Sequence, residues 1–387
     1  MHPGARFLLR ALTARDLLRR GDGEAVAPAG LVTSADVAWA IQSQCHMTIL
    51  ETFLASGARK DWQALRALGG GFWLPQGDAL RAALDTASKV QFASRKDPQD
   101  CALLFVALGK KGQLQGLYKA VRNEKLYTFL SNDFSEPRWR SAALKNAFAL
   151  LSKQQHELAA AFFLLGDDLA SAVKVCARQL ADLQLALVLC KLNQANAPEL
   201  LVSILREELL PYAEQRQDSW LCCVAHLQLD EPQRALEALA CRQADATAST
   251  DGAEDGADRC GLRQASQIDP EVVTFHQQVV GHPRNKARLP GALMPGSLVF
   301  ACSYAYAHRG CHTIAMETLC LPYRAGAGEG EGEGEGEGEG EDGLTFDSMA
   351  AAQWRLVLAV RHAAALAEHL LCASSKEVRW AVIVAGQ

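Results

Sequence analysis

The chain has 387 residues, 49% hydrophobic and 21% charged, enough to bury a sizeable core and to form two or three domains or one elongated array. Its net charge of -5 and pI near 6.1 give no overall attraction to nucleic acid or anionic lipid, and no run reaches the ~18 apolar residues of a bilayer span. Twelve cysteines are dilute in so long a chain and sit mostly in apolar helical stretches, so they read as reduced, buried thiols rather than a disulfide framework.

Residues 1–20 hold Arg6, Arg10, Arg15, Arg19 and Arg20 against a single acid, Asp16. This loosely resembles an organelle transit peptide, while Phe7, Leu8, Ala11 and Leu12 read equally well as one face of an ordinary helix. A loop is expected from Gly21 to Gly30, then a helix starting at Ser34 or Asp36 and running through Trp39 and Ile41. The GGGFWLP segment, Gly69 to Pro75, reads as a turn exposing Phe72 and Trp73. An aromatic pair beside glycines more often wedges between helices than forms a ligand platform.

From Asp97 the pattern tightens into a helix around Ala102 to Leu108, a turn at Gly109 to Gly112 and a helix from Leu114 to Ala120. Lys110 and Lys111 lack Walker spacing and read as part of a solvated turn. The most legible stretch is Phe129 to Ala186. Ser135 is the expected N-cap of a helix with Glu136 and Pro137 in its first turn. That helix runs to about Ser152, and Trp139, Ala143, Leu144, Ala147, Phe148 and Leu151 form its buried stripe. A second helix carries Leu158, Phe162 and Leu165, with Gly166 where a left-handed residue closes a helix. Asp167 or Asp168 caps a third with Leu169, Val173, Cys176 and Leu180; a fourth, capped near Asp182, carries Leu185, Leu189 and Leu192. Connections this short require antiparallel hairpins.

A break followed by an alanine and spaced apolar residues recurs at Gly166 with Ala172, Asp230 with Ala235, and Gly310 with Ala315. The copies are unevenly spaced, so the expected fold is all-α, an irregular α-solenoid of antiparallel helical hairpins with disordered acidic linkers. Residues 242–262 are small, polar and acidic, and residues 326–343 alternate glycine with seven glutamates from Glu329 to Glu341. The expected divisions are an N-terminal helical region 1–95, a core 96–242, linkers 243–267 and 323–347, a helical continuation 268–322, and a C-terminal piece 348–387. In the last piece Trp354 to Leu371 reads as a helix and Val378 to Val384 as a short apolar tail.

Catalytic patterns are sparse: G-x-S-x-G and H-E-x-x-H do not occur. Cys302, His308, Cys311 and His312 have zinc-ligand chemistry but match no standard finger spacing, and ordinary hairpin residues are the favoured reading. Cys222 and Cys223 point about 100° apart on a helix, which favours packing over redox work. Capping explains the acid pairs Asp133 with Glu136 and Asp167 with Asp168. The expectation is therefore no catalytic residue, no metal and no cofactor.

Three runs carry a resemblance: LLFVALGKKGQLQGLYK (Leu103 to Lys119), FLSNDFSEPRWRSAALKNAFALLSKQQHELAAAFFLLGDDLASAVKVC (Phe129 to Cys176) and LADLQLA (Leu180 to Ala186). They resemble the C-terminal helical region of the DmX-like, or rabconnectin, family, which includes the large subunit of the yeast RAVE complex. Weaker similarity covers Val37 to Gln44, Trp62 to Leu74 and Ser303 to Leu319. The resemblance implies a non-enzymatic factor that promotes assembly of the vacuolar-type proton ATPase and so organelle acidification. Implied partners are proton-ATPase peripheral-sector subunits and RAVE or rabconnectin subunits, with no nucleic acid and with indirect or peripheral membrane contact. The implied location is cytoplasmic, peripheral to endosomal, vacuolar or vesicle membranes. Full-length members place WD-repeat propellers before this region, and this sequence contains none. Within residues 97–192, expected to be the docking surface, the candidate partner-binding residues are Asn132, Asp133, Phe134, Glu136, Arg138, Trp139, Arg140 and Lys145. Rival readings are a vesicle coat or tethering subunit and a zinc-dependent enzyme built on Cys302 to His312.

Overall fold

Helix ends define this chain as much as helix interiors do. The computed structural model describes residues 7, 12, 32–43, 46–55, 60–193, 197–248, 269–285, 288–289, 294–321, 323–324, 356–357 and 359–360. Among them the fold is all-α, apart from one two-residue parallel pairing of Met294–Pro295 with Tyr323–Arg324. The chain divides into two units, Met1–Ala235 and Leu236–Gln387.

The first unit opens with α1 (Ser34–Ile41), α2 (His46–Ala55), α3 (Trp62–Ala67), the single turn α4 (Gly70–Trp73) and α5 (Asp78–Arg95). Then come α6 (Gln99–Ala107), α7 (Lys111–Ala120), α8 (Glu124–Leu130), α9 (Pro137–Ser152) and α10 (His156–Leu165). Next, α11 (Leu169–Lys174) continues into a π-helical turn, Val175–Gln179, and is followed by α12 (Leu183–Leu192). A second π-turn, Leu205–Leu209, joins α13 (Pro198–Ile204) to α14 (Leu210–Gln215). The helix α15 (Ser219–Gln228) completes the series, and α16 (Pro232–Ala248) starts in the first unit and has most of its residues in the second. The second unit holds α17 (Glu271–Gly281), α18 (Gly296–His308) and α19 (His312–Leu319); α18 packs on both of the others.

Most corners share one construction. A residue with positive φ ends the helix: Gly109, Arg122, Gln154, Asp167, Gln217, Asp230 or Gly310. The next residue's amide then donates to the carbonyl five positions back, as in Asn123 to Tyr118 (3.0 Å), Asp168 to Phe163 (2.9 Å) and Asp218 to Ala213 (2.9 Å). This is a Schellman closure. At Asn123, Asp168 and Asp218 the same residue's side chain accepts from an amide three positions on, so one residue closes a helix and caps the next. Asp182 does this too, but its amide reaches six residues back, to Cys176, because the π-turn inserts an extra residue. Each such cap is worth about 1 kcal/mol.

Two expected caps move. Glu136, not Ser135, takes the N-cap position of α9 with Pro137 following it, and Ser135 belongs instead to the preceding turn, its amide bound to Asp133 Oδ1 at 2.9 Å. Thr33 caps α1 and shares a reciprocal capping box with Asp36. Gly166 is not the left-handed residue either: its φ is -80°, while Asp167 has φ +63°. The glycine is required for a different reason. A Cβ there would lie 2.6 Å from Leu144 Cδ2, so its absence lets α9 and α10 approach. Gly166→Ala should cost about 1 to 2 kcal/mol in urea unfolding as Leu144 is displaced; an unchanged midpoint would sink this account.

The core lies where helices are apolar on every side. In α10 six consecutive residues, Leu158 to Phe163, are buried between α6, α9 and α11. In α12 seven are buried, Leu185 to Lys191. The N-terminal helices turn back onto this later part: α4 packs on α12 and α1 on α15. Residues 1–95 and most of 96–242 thus share one unit. Gly70–Trp73 is a helical turn, and Trp73 is buried as a wedge, its indole donating to the Leu68 carbonyl at 2.9 Å.

Helix α16 continues to Ala248, past residue 243 where the sequence expects a linker; the alanine-rich segment favours this continuation. Phe7, Leu12 and residues 356–357 and 359–360 are helical. The rest of the candidate transit peptide, the Gly-Glu tract, most of the expected last helix and the tail at 378–384 lie outside the described residues.

Candidate functional site

The candidate partner-binding residues surround the α8–α9 connection, and half of them are occupied in building it. Asn132 donates its side-chain amide to the Thr128 and Phe129 carbonyls, and its own carbonyl accepts from Lys111 Nζ at 2.7 Å. Asp133 accepts from the Ser135 amide, which holds its carboxyl below the usual carboxylate range. Arg140 donates to the carbonyls of Phe134 (3.0 Å) and Ser135 (2.9 Å) and pairs with Asp167 at 3.4 Å. Phe134 meets Phe129 edge-on at 5.4 Å beneath the Lys111 ammonium. Phe129 stacks on Phe162 at 5.2 Å and meets Trp139 edge-on at 6.5 Å, anchoring the loop to α10 and α9.

Glu136, Arg138 and Lys145 remain exposed. Arg138 lies over the half-buried Trp139 ring at 5.1 Å. Of the expected α9 stripe only Ala143 and Ala147 are buried, whereas Phe148 is 59% exposed, touching Phe163 edge-on at 5.1 Å. Phe148 therefore joins the outer surface, which its place in the apolar spacing of α9 concealed.

A second arrangement escaped sequence reasoning. Lys191 is 7% exposed, and its Nζ donates to three main-chain carbonyls, Gly71 at 2.9 Å, Phe72 at 2.7 Å and Leu74 at 3.1 Å. Burial pulls its pKa down to about 7. Beside it Gln184 accepts from the Gly71 amide and donates to the Arg66 carbonyl. Asp182 accepts from the Trp62 indole at 2.8 Å and pairs with Arg66 at 3.4 Å. These groups form a polar seam fastening α3 and α4 to α12. Three consecutive glycines at 69–71 were its one local signal.

The possible zinc ligands are not brought together. Cys302 is buried with its thiol toward the Asp269 carbonyl, His308 and Cys311 are exposed, and His312 begins α19. Among the described residues no three His, Cys, Asp or Glu side chains form a group that could hold a metal. Cys223 is buried and Cys222 is half-buried. No helix of the described residues is long and apolar enough to cross a membrane.

Among the described residues these features define an all-α protein whose helices are joined by local corners and by a long-range polar seam. Residues 2–318 match the model of the RAVE protein 1 C-terminal family, and the chain belongs to that family. Human DmX-like protein 1 is 38% identical over 226 residues, covering 54% of this chain and 7% of that protein. The Saccharomyces cerevisiae protein named regulator of V-ATPase in vacuolar membrane protein 1 is 35% identical over 212 residues, 53% of this chain and 15% of that protein. Its Schizosaccharomyces pombe namesake is 31% identical over 211 residues, covering 53% and 16%. The chain thus spans a small part of the relatives it matches.

Proposed function

We propose that this chain is a non-enzymatic scaffold of the V-ATPase regulatory machinery, promoting assembly of the pump's peripheral and membrane sectors and hence organelle acidification. Family membership over residues 2–318 carries this reading, together with relatives named as regulators of V-ATPase in the vacuolar membrane. The tight hairpin corners support an irregular α-solenoid within the first unit, and such stacks offer extended surfaces suited to proteins rather than small molecules. Residues 97–192 are the proposed docking surface, with Glu136, Arg138, Trp139 and Lys145 as its accessible part and Asn132, Asp133, Phe134 and Arg140 shaping it. The partners are peripheral-sector subunits and other RAVE-type subunits, met on the cytoplasmic side of vacuolar, endosomal or vesicle membranes. Co-purification from native membranes tests this. Recovery of pump subunits is expected; consistent recovery of coat or tether subunits instead would overturn it.

A further inference from the structure

The overall charge conceals a local one of opposite sign. Residues 242–262 and 326–343 together hold thirteen acidic and two basic residues, so the rest of the chain is net +6. Residues 110–153 alone contain nine basic and three acidic residues. Helix α9 carries Arg138, Arg140 and Lys145 and no acid, and Lys153 follows its end.

Arg140 is accounted for by the loop it builds. Arg138 is not. It lies in the first turn of α9, where the helix dipole disfavours a cation. Among the described residues neither Arg138 nor Lys145 has an ion pair. Positions 138, 141, 145, 148 and 152 follow one another at steps of three or four and share a face, and all five are exposed. They lie opposite the buried Ala143 and Ala147. The outward face of a helix about 24 Å long thus presents two uncompensated cations and one large exposed aromatic, Phe148.

We propose that this stripe docks an acidic protein segment bearing one apolar anchor residue. Carboxylates of the segment pair with Arg138 and Lys145, and the anchor packs against Phe148. The inference rests on the docking role proposed above and specifies its chemistry. Charge complementarity selects an acidic occupant. Pre-orientation selects a protein: Arg138 lies over the Trp139 ring and Phe148 is braced edge-on by Phe163. Fixed side chains lower the ordering cost of a specific contact, whereas a fluid headgroup layer gains nothing from them.

The test compares the full chain with its Arg138→Glu/Lys145→Glu and Phe148→Ala variants. Each is assayed against purified proton-ATPase peripheral-sector subunits at low and high salt, and against phosphatidylserine vesicles. The wild type should bind subunits in a salt-sensitive manner. The double reversal should weaken binding about tenfold or more at low salt, and Phe148→Ala should weaken it with little change in salt dependence. The Arg138→Gln/Lys145→Gln pair gives the same reading should the reversal disturb folding. Undiminished binding by both charge variants would overturn the stripe and leave the docking role standing. Failure of the wild type to bind any subunit would overturn both. Charge-dependent binding to vesicles alone would make this face a membrane contact and refute the proposal.

Discussion

Lys191→Met should lower the unfolding free energy by about 3 kcal/mol at pH 6.5, although the two side chains are similar in length. The loss is not chiefly one of packing. Methionine leaves the carbonyls of Gly71, Phe72 and Leu74 without the donor they share, and an unsatisfied buried acceptor costs about 1 to 3 kcal/mol. Relief from burying a charge offsets part of this. The pH dependence has a definite sign. Burial depresses the folded pKa to about 7 from 10.5, so between those values the unfolded chain binds more protons than the native one, and stability rises with pH. The three carbonyls favour the ammonium and oppose burial, so the gain is shallower than the roughly 1.4 kcal/mol per pH unit of full linkage. Urea unfolding from pH 6.5 to 9 should show the wild type gaining on Lys191→Met. Parallel curves would refute the assignment.

Gly71→Val should part α4 from α12 and cost about 3 kcal/mol. A Cβ at Gly71 would stand 2.6 Å from Gln184 Cβ, 2.7 Å from its carbonyl oxygen and 2.9 Å from its Cα. None of these is the tip of a flexible side chain, so the whole segment must withdraw. The Gly71 amide then loses Gln184 Oε1, and Lys191 loses its carbonyls together. Limited proteolysis should cut the variant quickly between residues 60 and 75 while α9 and α10 stay protected. Wild-type resistance at those sites would show that the contact yields without separation.

The legible parts of the chain were those written locally. Asp168 and Asp182 were recognisable as caps because an acid stands just before an apolar repeat, and the structure places both at helix starts. The helices from α9 to α12 follow from spacing alone. Other positions read correctly as residue types but wrongly as causes. Gly166 looked like a left-handed terminator, yet Asp167 bears that conformation and the glycine admits Leu144. Phe148 fits the apolar period of α9, but the buried strip is only wide enough for two alanines. Lys191, the one cation of α12, carries no neighbouring signal. The carbonyls that hold it lie 117 to 120 residues earlier in the chain.

In the candidate segment, the turn and helix were visible from NDFSEPRWR. The division of labour was not, because it depends on the Lys111 reach to Asn132 and on the bonds from Arg140 to two carbonyls. Residues that appear equally available in the sequence prove to be part scaffold and part surface.

The polar seam also bears on synthesis. Each Schellman corner can close once about six residues are available, so the local corners from α9 onward can form as they emerge. Trp62 must wait 120 residues for Asp182, and Ser34 must wait 184 for Asp218. At about 5 to 20 residues per second, the first helices remain without their partners for roughly six seconds or more. Trp62, buried in the finished unit, is made well before the Asp182 carboxylate that its indole meets, so this early stretch of the chain is among the last to settle.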